Sequence, residues 1–432
     1  MAKKPPQILQ NSFLRATKIF AAGARVAARE LGSQITGGPS IVTRLKQAQD
    51  LVDTLGDLKG AAMKAGQLLS IEAAQYLPPE VVSVLRQLQD QVSFMPIDQV
   101  RFILQRQLGR EKFELIEDLS SEPVAAASIG QVHSAIIAGK KVAIKIQYPG
   151  VASSIDSDLR ALRKLAISAV KIMGKNVDIG PVLDEFTKSL KQEVNYRVEA
   201  DNIDLTRRTL SDSKYVIPEV YRDYSTETVL TLSFEEGIKI SEWIKTNNNA
   251  AEREYLSDLV INLLIDEVIA TGVVQTDPNF ANFLYRPEDK KLVLLDFGAT
   301  WVYDAELRTY LQNQVVSLFE GKHDHVMEQI HARGYLSPRE KAEVKQELHK
   351  ILAIVSDLAR PEMQPMSLND GVIAKKIQES AEKMGFAIEY TAPPKDLILL
   401  GRKVGGMLSF LREMGTQIDL VNVKERMAAV KI

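Results

Sequence analysis

Two short stretches near the middle of the chain, "QTDPNFANF" at 275–283 and "LLDFGA" at 294–299, restrict its fold more than any other feature. Asp277 and Asn282 stand five apart in a loop, and Asp296 follows an apolar run and immediately precedes Phe297 and Gly298. A carboxylate and an amide delivered in this way are hard oxygen ligands, the donor set that suits magnesium. Upstream, "VAIK" at 142–145 places Lys145 in an otherwise apolar alternation, where a buried ammonium is costly without a carboxylate or phosphate partner. Each residue has a plainer reading. Asp277 before Pro278 can open a turn, Asn282 can be a solvated loop amide, Asp296 can serve the turn at Gly298, and Lys145 can snorkel to the surface. The combination D-x-x-x-x-N, then D-F-G, well behind a strand lysine, favours phosphoryl-transfer chemistry over these alternatives.

Composition narrows the rest. With 432 residues, 45% of them hydrophobic, the chain can bury a large core and hold more than one structural unit. Lys+Arg 54 against Asp+Glu 56 leaves a net charge of −2, so no global positive field is available to hold nucleic acid. The absence of cysteine excludes disulfides and thiolate metal sites. The most apolar window, 259–274, is interrupted by Asp266 and Glu267 and falls short of a membrane span, so no transmembrane helix is expected. Residues 1–29 contain no acidic side chain. On a helix, Arg15, Lys18, Arg25 and Arg29 share one face, opposite Phe13, Phe20 and Leu31. Such a cationic amphipathic helix suits an anionic membrane surface, a mitochondrial targeting segment, or an ordinary packed surface helix.

The texture divides the chain into four stretches: a basic amphipathic segment over 1–40, a helical extension over 41–110, a β-rich region over 111–240 and a mostly helical region over 241–432. "VHSAII" and "VAIKIQ" read as a hairpin with Gly139 in its turn, "ETVLTLSF" as a strand ending at "EEG" (235–237), and "KLVLLDF" as a buried strand. Helices are expected over 153–210, with an interruption near 174–181, and over 252–271. "HDH" at 323–325, with His331, reads as the solvated face of a helix, and Arg402 and Lys403 as candidates for structural ion pairs.

The motifs together resemble the UbiB/AarF family of atypical protein-kinase-like proteins linked to ubiquinone (coenzyme Q) biosynthesis, from about Leu51 to the C-terminus. "KAGQ" at 64–67 matches the family's K-x-G-Q motif, "AAAS" at 125–128 its alanine-rich loop, and "QTDPNFANF" with "LLDFGAT" its catalytic and metal-binding segments. The resemblance implies an α+β, protein-kinase-like two-lobe fold, with a small antiparallel sheet in the N-lobe, a mostly helical C-lobe and an N-terminal helical extension. It implies that Lys145 holds nucleotide phosphates with Glu199 as its ion-pair partner, that Asn282 and Asp296 bind Mg2+, and that Asp277 is the catalytic-loop carboxylate. Lys64 and Gln67 would sit over the active site, with Lys64 near Glu193. Ala125, Ala126, Ala127 and Ser128 would grip the nucleotide tail, and the backbone near Glu235 would meet the adenine edge. The family's E-x-D motif reads here "EVN", so Asn195 stands where an acidic contact to metal or phosphates is expected.

Glycine allows φ > 0 and close approach of backbone N–H groups to phosphates, and alanine adds a Cβ that removes this freedom. In the family this substitution goes with altered nucleotide preference and suppressed phosphorylation of proteins in trans. The expected function is that of an atypical kinase or ATPase binding Mg-ATP or Mg-ADP and supporting ubiquinone or related prenyl-lipid biosynthesis. Its expected partners are a lipid or quinone precursor, the pathway's enzymes and a membrane surface. It would be cytoplasmic and peripheral to the inner membrane in a bacterium, or on the matrix side in a mitochondrion. A catalytically weak, nucleotide-dependent lipid-binding scaffold is the competing expectation; a conventional small-molecule kinase is disfavoured by the alanines and "KAGQ".

Overall fold

The structure, a computed structural model, describes residues 94–151 and 194–432 apart from 128, 278, 370, 389–390 and 392–394, with isolated positions between 184 and 191. In chain order the elements are α1 (Ile97–Leu108), α2 (Arg110–Glu114), β1 (Ile116–Glu117), β2 (Ala125–Ala127), β3 (Gly130–Ile137), β4 (Lys140–Gln147), α3 (Tyr196–Thr209), β5 (Tyr215–Val216), β6 (Val229–Ser233) and β7 (Ile238–Lys239). There follow α4 (Ile240–Thr246), α5 (Ala250–Ile265), β8 (Val273–Gln275), β9 (Phe283–Arg286), β10 (Lys291–Leu294) and β11 (Thr300–Val302). The chain then runs through α6 (Ala305–Phe319), α7 (His323–Ala332), α8 (Ala342–Leu358), β12 (Met366–Ser367), α9 (Gly371–Ala387), α10 (Lys395–Met414), β13 (Gln417–Ile418) and α11 (Leu420–Ala429). Among the described residues, one compact unit holds 94–151, 194–201 and 219–234, and a second holds 202–218 and 235–432.

The first unit is built on an antiparallel sheet of order β1-β3-β4-β6, with β2 also paired to β3. Alternation decides its faces. Val142, Ile144 and Ile146 of β4 are fully buried on one face, whereas Ala143 and Lys145 lie on the other. The β3–β4 hairpin closes through Ala138 and Gly139 with φ of 50° and 74°. Positive φ at both central residues is the combination whose twist matches the flanking strands, so the expectation of a turn at Gly139 holds.

In the second unit β5-β10-β9-β7 form a small sheet, with β5 parallel to β10, and β8 pairs with β11. Helices supply the rest: α5 packs on α10 and α8 on α9. Helix α5 buries Leu256, Leu259, Val260, Ile261, Leu263 and Ile265 around most of its circumference, leaving a polar strip at exposed Asp258 and half-buried Asn262. Where the sequence suggested one helix to Thr271, the last turn, Asp266–Thr271, widens to π-helix and ends at Gly272 in the left-handed region. A Cβ on Gly272 would meet the Tyr303 carbonyl at 2.5 Å, so only glycine fits this exit. No described helix is long and apolar enough to cross a membrane.

Candidate functional site

Lys145 and Glu199 meet within the first unit. Lys145 Nζ donates to both carboxylate oxygens of Glu199, each at 2.8 Å. The Lys145 side chain is 17% exposed and that of Glu199 1%. Nζ also lies 5.0 Å from the centre of the Tyr196 ring. Three contacts fix the start of α3. Tyr196 N–H donates to the Glu227 carbonyl at 3.0 Å. Gln147 Nε2 donates to the Val194 carbonyl at 2.9 Å. The Asn195 side chain accepts from Arg197 N–H at 3.0 Å. Asn195, expected as a lost acidic contact, thus satisfies an otherwise orphaned donor at a helix start, a task at which Asn and Asp are equivalent.

The alanines are not a loop. Ala125, Ala126 and Ala127 form the edge strand β2, in register with Val132, Gln131 and Gly130 of β3. Alanine is a poor strand former and three residues give no alternation to detect, so the neighbouring strand imposes this conformation. The conformational demand falls instead on Gly130. A Cβ there would lie 2.3 Å from the Ile146 carbonyl oxygen and 3.0 Å from the Tyr196 hydroxyl. Beside it, buried Gln131 donates to His133 Nε2 at 2.8 Å and accepts from Met95 N–H at 2.7 Å. His133 Nδ1 donates to the Ser120 carbonyl at 2.8 Å. Burial holds the His133 imidazole below its usual pKa, against the opposing pull of the Ser120 bond and Glu122.

The second unit assembles Asn282 and Asp296 at one end of a β-hairpin. Strands β9 and β10 pair from Lys291↔Arg286 to Leu294↔Phe283, and Leu295 N–H continues the ladder by donating to the Asn282 carbonyl at 3.0 Å. The residue before β9 and the residue after Leu295 therefore emerge together. Asp296 Oδ1 accepts from Gly298 N–H at 3.0 Å. The Phe297 ring is buried, and its carbonyl accepts from Asn202 Nδ2 and from Thr300 Oγ1, both at 2.9 Å. The returning strand β11 pairs with β8, and Thr276 N–H and Oγ1 both donate to the Ala299 carbonyl at 2.8 Å. Asp277 follows Thr276, is 8% exposed, and caps its own loop by accepting from Asn279 N–H at 3.3 Å.

The segment entering Asp277 is anchored from behind by residues that local sequence does not connect. Lys403 of α10 lies 2.5 Å from Glu267, with both side chains at 2% exposure or less. Burial pushes the Glu267 carboxyl up, while the Lys403 ammonium and the Gln275 backbone N–H pull it back. Gln275 Nε2 in turn donates to the Asp277 carbonyl at 2.5 Å. The sequence did carry one signal: charges at 266–267 inside an apolar run demand a buried partner. Glu267 lies in the π-turn that ends this helix, and such turns recur at functional sites.

Of the remaining predicted site residues, Glu235 Oε2 lies 3.8 Å from Arg286 Nη1, so its side chain pairs with β9. Lys64, Gln67, Ser128 and Glu193 lie outside the described residues.

A family model described as the ABC1 atypical kinase-like domain matches residues 87–330. A Dictyostelium discoideum relative named probable serine/threonine-protein kinase abkA is 31% identical over 86% of this chain and 69% of its own length. The Schizosaccharomyces pombe protein named atypical kinase COQ8, mitochondrial, is 29% identical over 86% of this chain and 61% of its own length. The chain thus spans about two thirds of these relatives. The solved structure of Mycobacterium tuberculosis Rv3197 in complex with erythromycin aligns with a TM-score of 0.61 and 25% identity, covering 88% of this chain and 95% of that one. Motifs, fold and relatives agree: the chain belongs to the ABC1 atypical kinase-like family, the group its UbiB/AarF resemblance named, and carries that family's kinase-type enzyme domain with its α+β kinase-like fold.

Proposed function

We propose that the protein binds Mg-ATP and transfers or hydrolyses its terminal phosphoryl group in support of ubiquinone or a related prenyl-lipid pathway at a membrane surface. The observation that carries the nucleotide reading is the two-pronged Lys145–Glu199 pair. A nearly buried carboxylate orients an ammonium, which places positive charge where a nucleotide's phosphate oxygens would need it.

Magnesium fits the second unit's residues. Asn282 Nδ2 is shut off from solvent without a hydrogen-bond partner among the described residues. Amide oxygen and nitrogen exchange by a flip, so this orphaned corner accepts a cation when the oxygen takes it. Asn282 and Asp296 would hold the ion, which would neutralise charge on the β and γ phosphates. Asp277 would orient the acceptor hydroxyl or water and accept its proton. Gln275 and Glu267 would keep Asp277 in place. Lys64 and Gln67 are proposed to cover the site, Lys64 beside Glu193; Ala125–Ser128 and the backbone at Glu235 are proposed to flank the nucleotide.

The pathway and location rest on relatives, whose names include COQ8 with a mitochondrial designation and an Arabidopsis thaliana chloroplastic ABC1 kinase. A nucleotide-dependent scaffold for lipid or quinone precursors and pathway enzymes is the second reading, favoured by the neutral Asn195. Calorimetric titration with Mg-ATP tests the nucleotide claim. Binding by wild type that Lys145→Met weakens at least tenfold supports it, and equal affinities refute it.

A further inference from the structure

The second unit gathers a separate set of ligating side chains where α7 packs on α8. His349 Nε2 lies 2.7 Å from Asp324 Oδ1. The rings of His323 and His349 meet edge to face with centroids 5.0 Å apart. One ligand atom from each of His323, Asp324 and His349 lies within 4.8 Å of the other two. The solvated-surface reading of "HDH" with His331 is therefore incomplete. His331 stays exposed and outside the cluster, and the third member comes from another helix.

A surface His–Asp pair is ordinary, but the third residue is not accounted for by pairing. His323 Nδ1 is shut off from solvent and has no hydrogen-bond partner among the described residues. Such a nitrogen lacks compensation for its lost hydration, whether it carries a proton or a lone pair.

We propose that His323, Asp324 and His349 bind a borderline divalent transition-metal cation, for which Zn2+ is the probe, clamping the start of α7 to α8. Two imidazoles and a carboxylate suit zinc, cobalt or nickel and not magnesium, whose preference is for oxygen alone. Metal–ligand bonds of about 2.0–2.2 Å put the donors of a tetrahedral site roughly 3.3 Å apart. The His349–Asp324 distance of 2.7 Å and the 4.8 Å bound on the other pairs leave that spacing within reach of side-chain rotation. The 82% exposure of Asp324 leaves the fourth position to water.

The test is calorimetric titration of chelator-stripped, full-length protein with ZnCl2 under millimolar MgCl2, which keeps all-oxygen sites filled. One equivalent should bind with micromolar or tighter affinity. His349→Ala and Asp324→Ala should each weaken it at least tenfold, with His331→Ala unchanged. Co2+ in place of Zn2+ should give visible d–d absorption that His349→Ala abolishes. Since His349 and Asp324 are 43% and 82% exposed, the variants should keep their fold, which circular dichroism verifies. Equal zinc affinity in wild type and the His349→Ala/Asp324→Ala double variant, or a tenfold loss in His331→Ala, overturns the proposal.

Discussion

Lys145 Nζ sits 2.8 Å from both oxygens of a Glu199 carboxylate that is 1% exposed, while the lysine itself keeps 17% of its side-chain surface. This asymmetry has a stability consequence. Lys145→Met takes the two-pronged cation away from a buried carboxylate, which costs about 3–5 kcal/mol. Glu199→Gln leaves only a partly exposed ammonium and should cost less. The double variant should be more stable than Lys145→Met alone. Urea denaturation of the four proteins checks the order; a double variant less stable than Lys145→Met would contradict it.

Gly130, not the alanines, is the sterically intolerant position beside β2. A methyl 2.3 Å from the Ile146 carbonyl oxygen must spread β3 from β4. Gly130→Ala should therefore lose roughly 1–3 kcal/mol, against less than about 1 kcal/mol for Ala126→Gly on the exposed edge. Thermal melts of both variants decide, and the reverse order would sink the assignment.

The buried Gln131–His133–Ser120 chain gives stability a defined pH dependence. Burial depresses the folded pKa of His133 below 6.5. Between that lower value and about 6.5 the unfolded chain binds more protons, so stability rises with pH. The contribution is complete above about 6.5 and is lost as pH falls through the folded value. His133→Gln should start less stable but lose less between about pH 7.5 and 5.5. Identical losses in both proteins would show that His133 does not titrate this way.

Removing the cation behind the Asp277 loop should loosen the loop itself. Lys403→Met strands the Glu267 charge in the interior, at a cost of about 3–5 kcal/mol. Hydrogen exchange at the Gln275 amide, which Glu267 accepts from, should accelerate. A variant within about 1 kcal/mol of wild type with unchanged Gln275 exchange would remove Lys403 from this role.

The placement of the proposed site residues was legible because it is local. Asn282 and Asp296 emerge at one end of a single hairpin with Asp277 in the loop before it, and the Gly139 turn follows from two positions. The Lys145–Glu199 pair joins distant segments, and the resemblance, not periodicity, supplied Glu199. Lys403 was legible as an ion-paired residue without its partner, since the partner depends on how α10 packs on α5 and on a π-turn that no pattern announces. His349 was missed for the same reason. The alanines were misread as a loop because a three-residue edge strand takes its conformation from β3.

The most direct test is magnesium-dependent ATP turnover by the purified chain, with and without anionic liposomes, beside Asp296→Asn. Wild type should hydrolyse ATP or transfer its phosphoryl group, and Asp296→Asn should lose about two or more orders of magnitude with its fold intact. A wild type that binds nucleotide yet turns over no faster than Asp296→Asn would contradict catalysis and leave the scaffold reading standing.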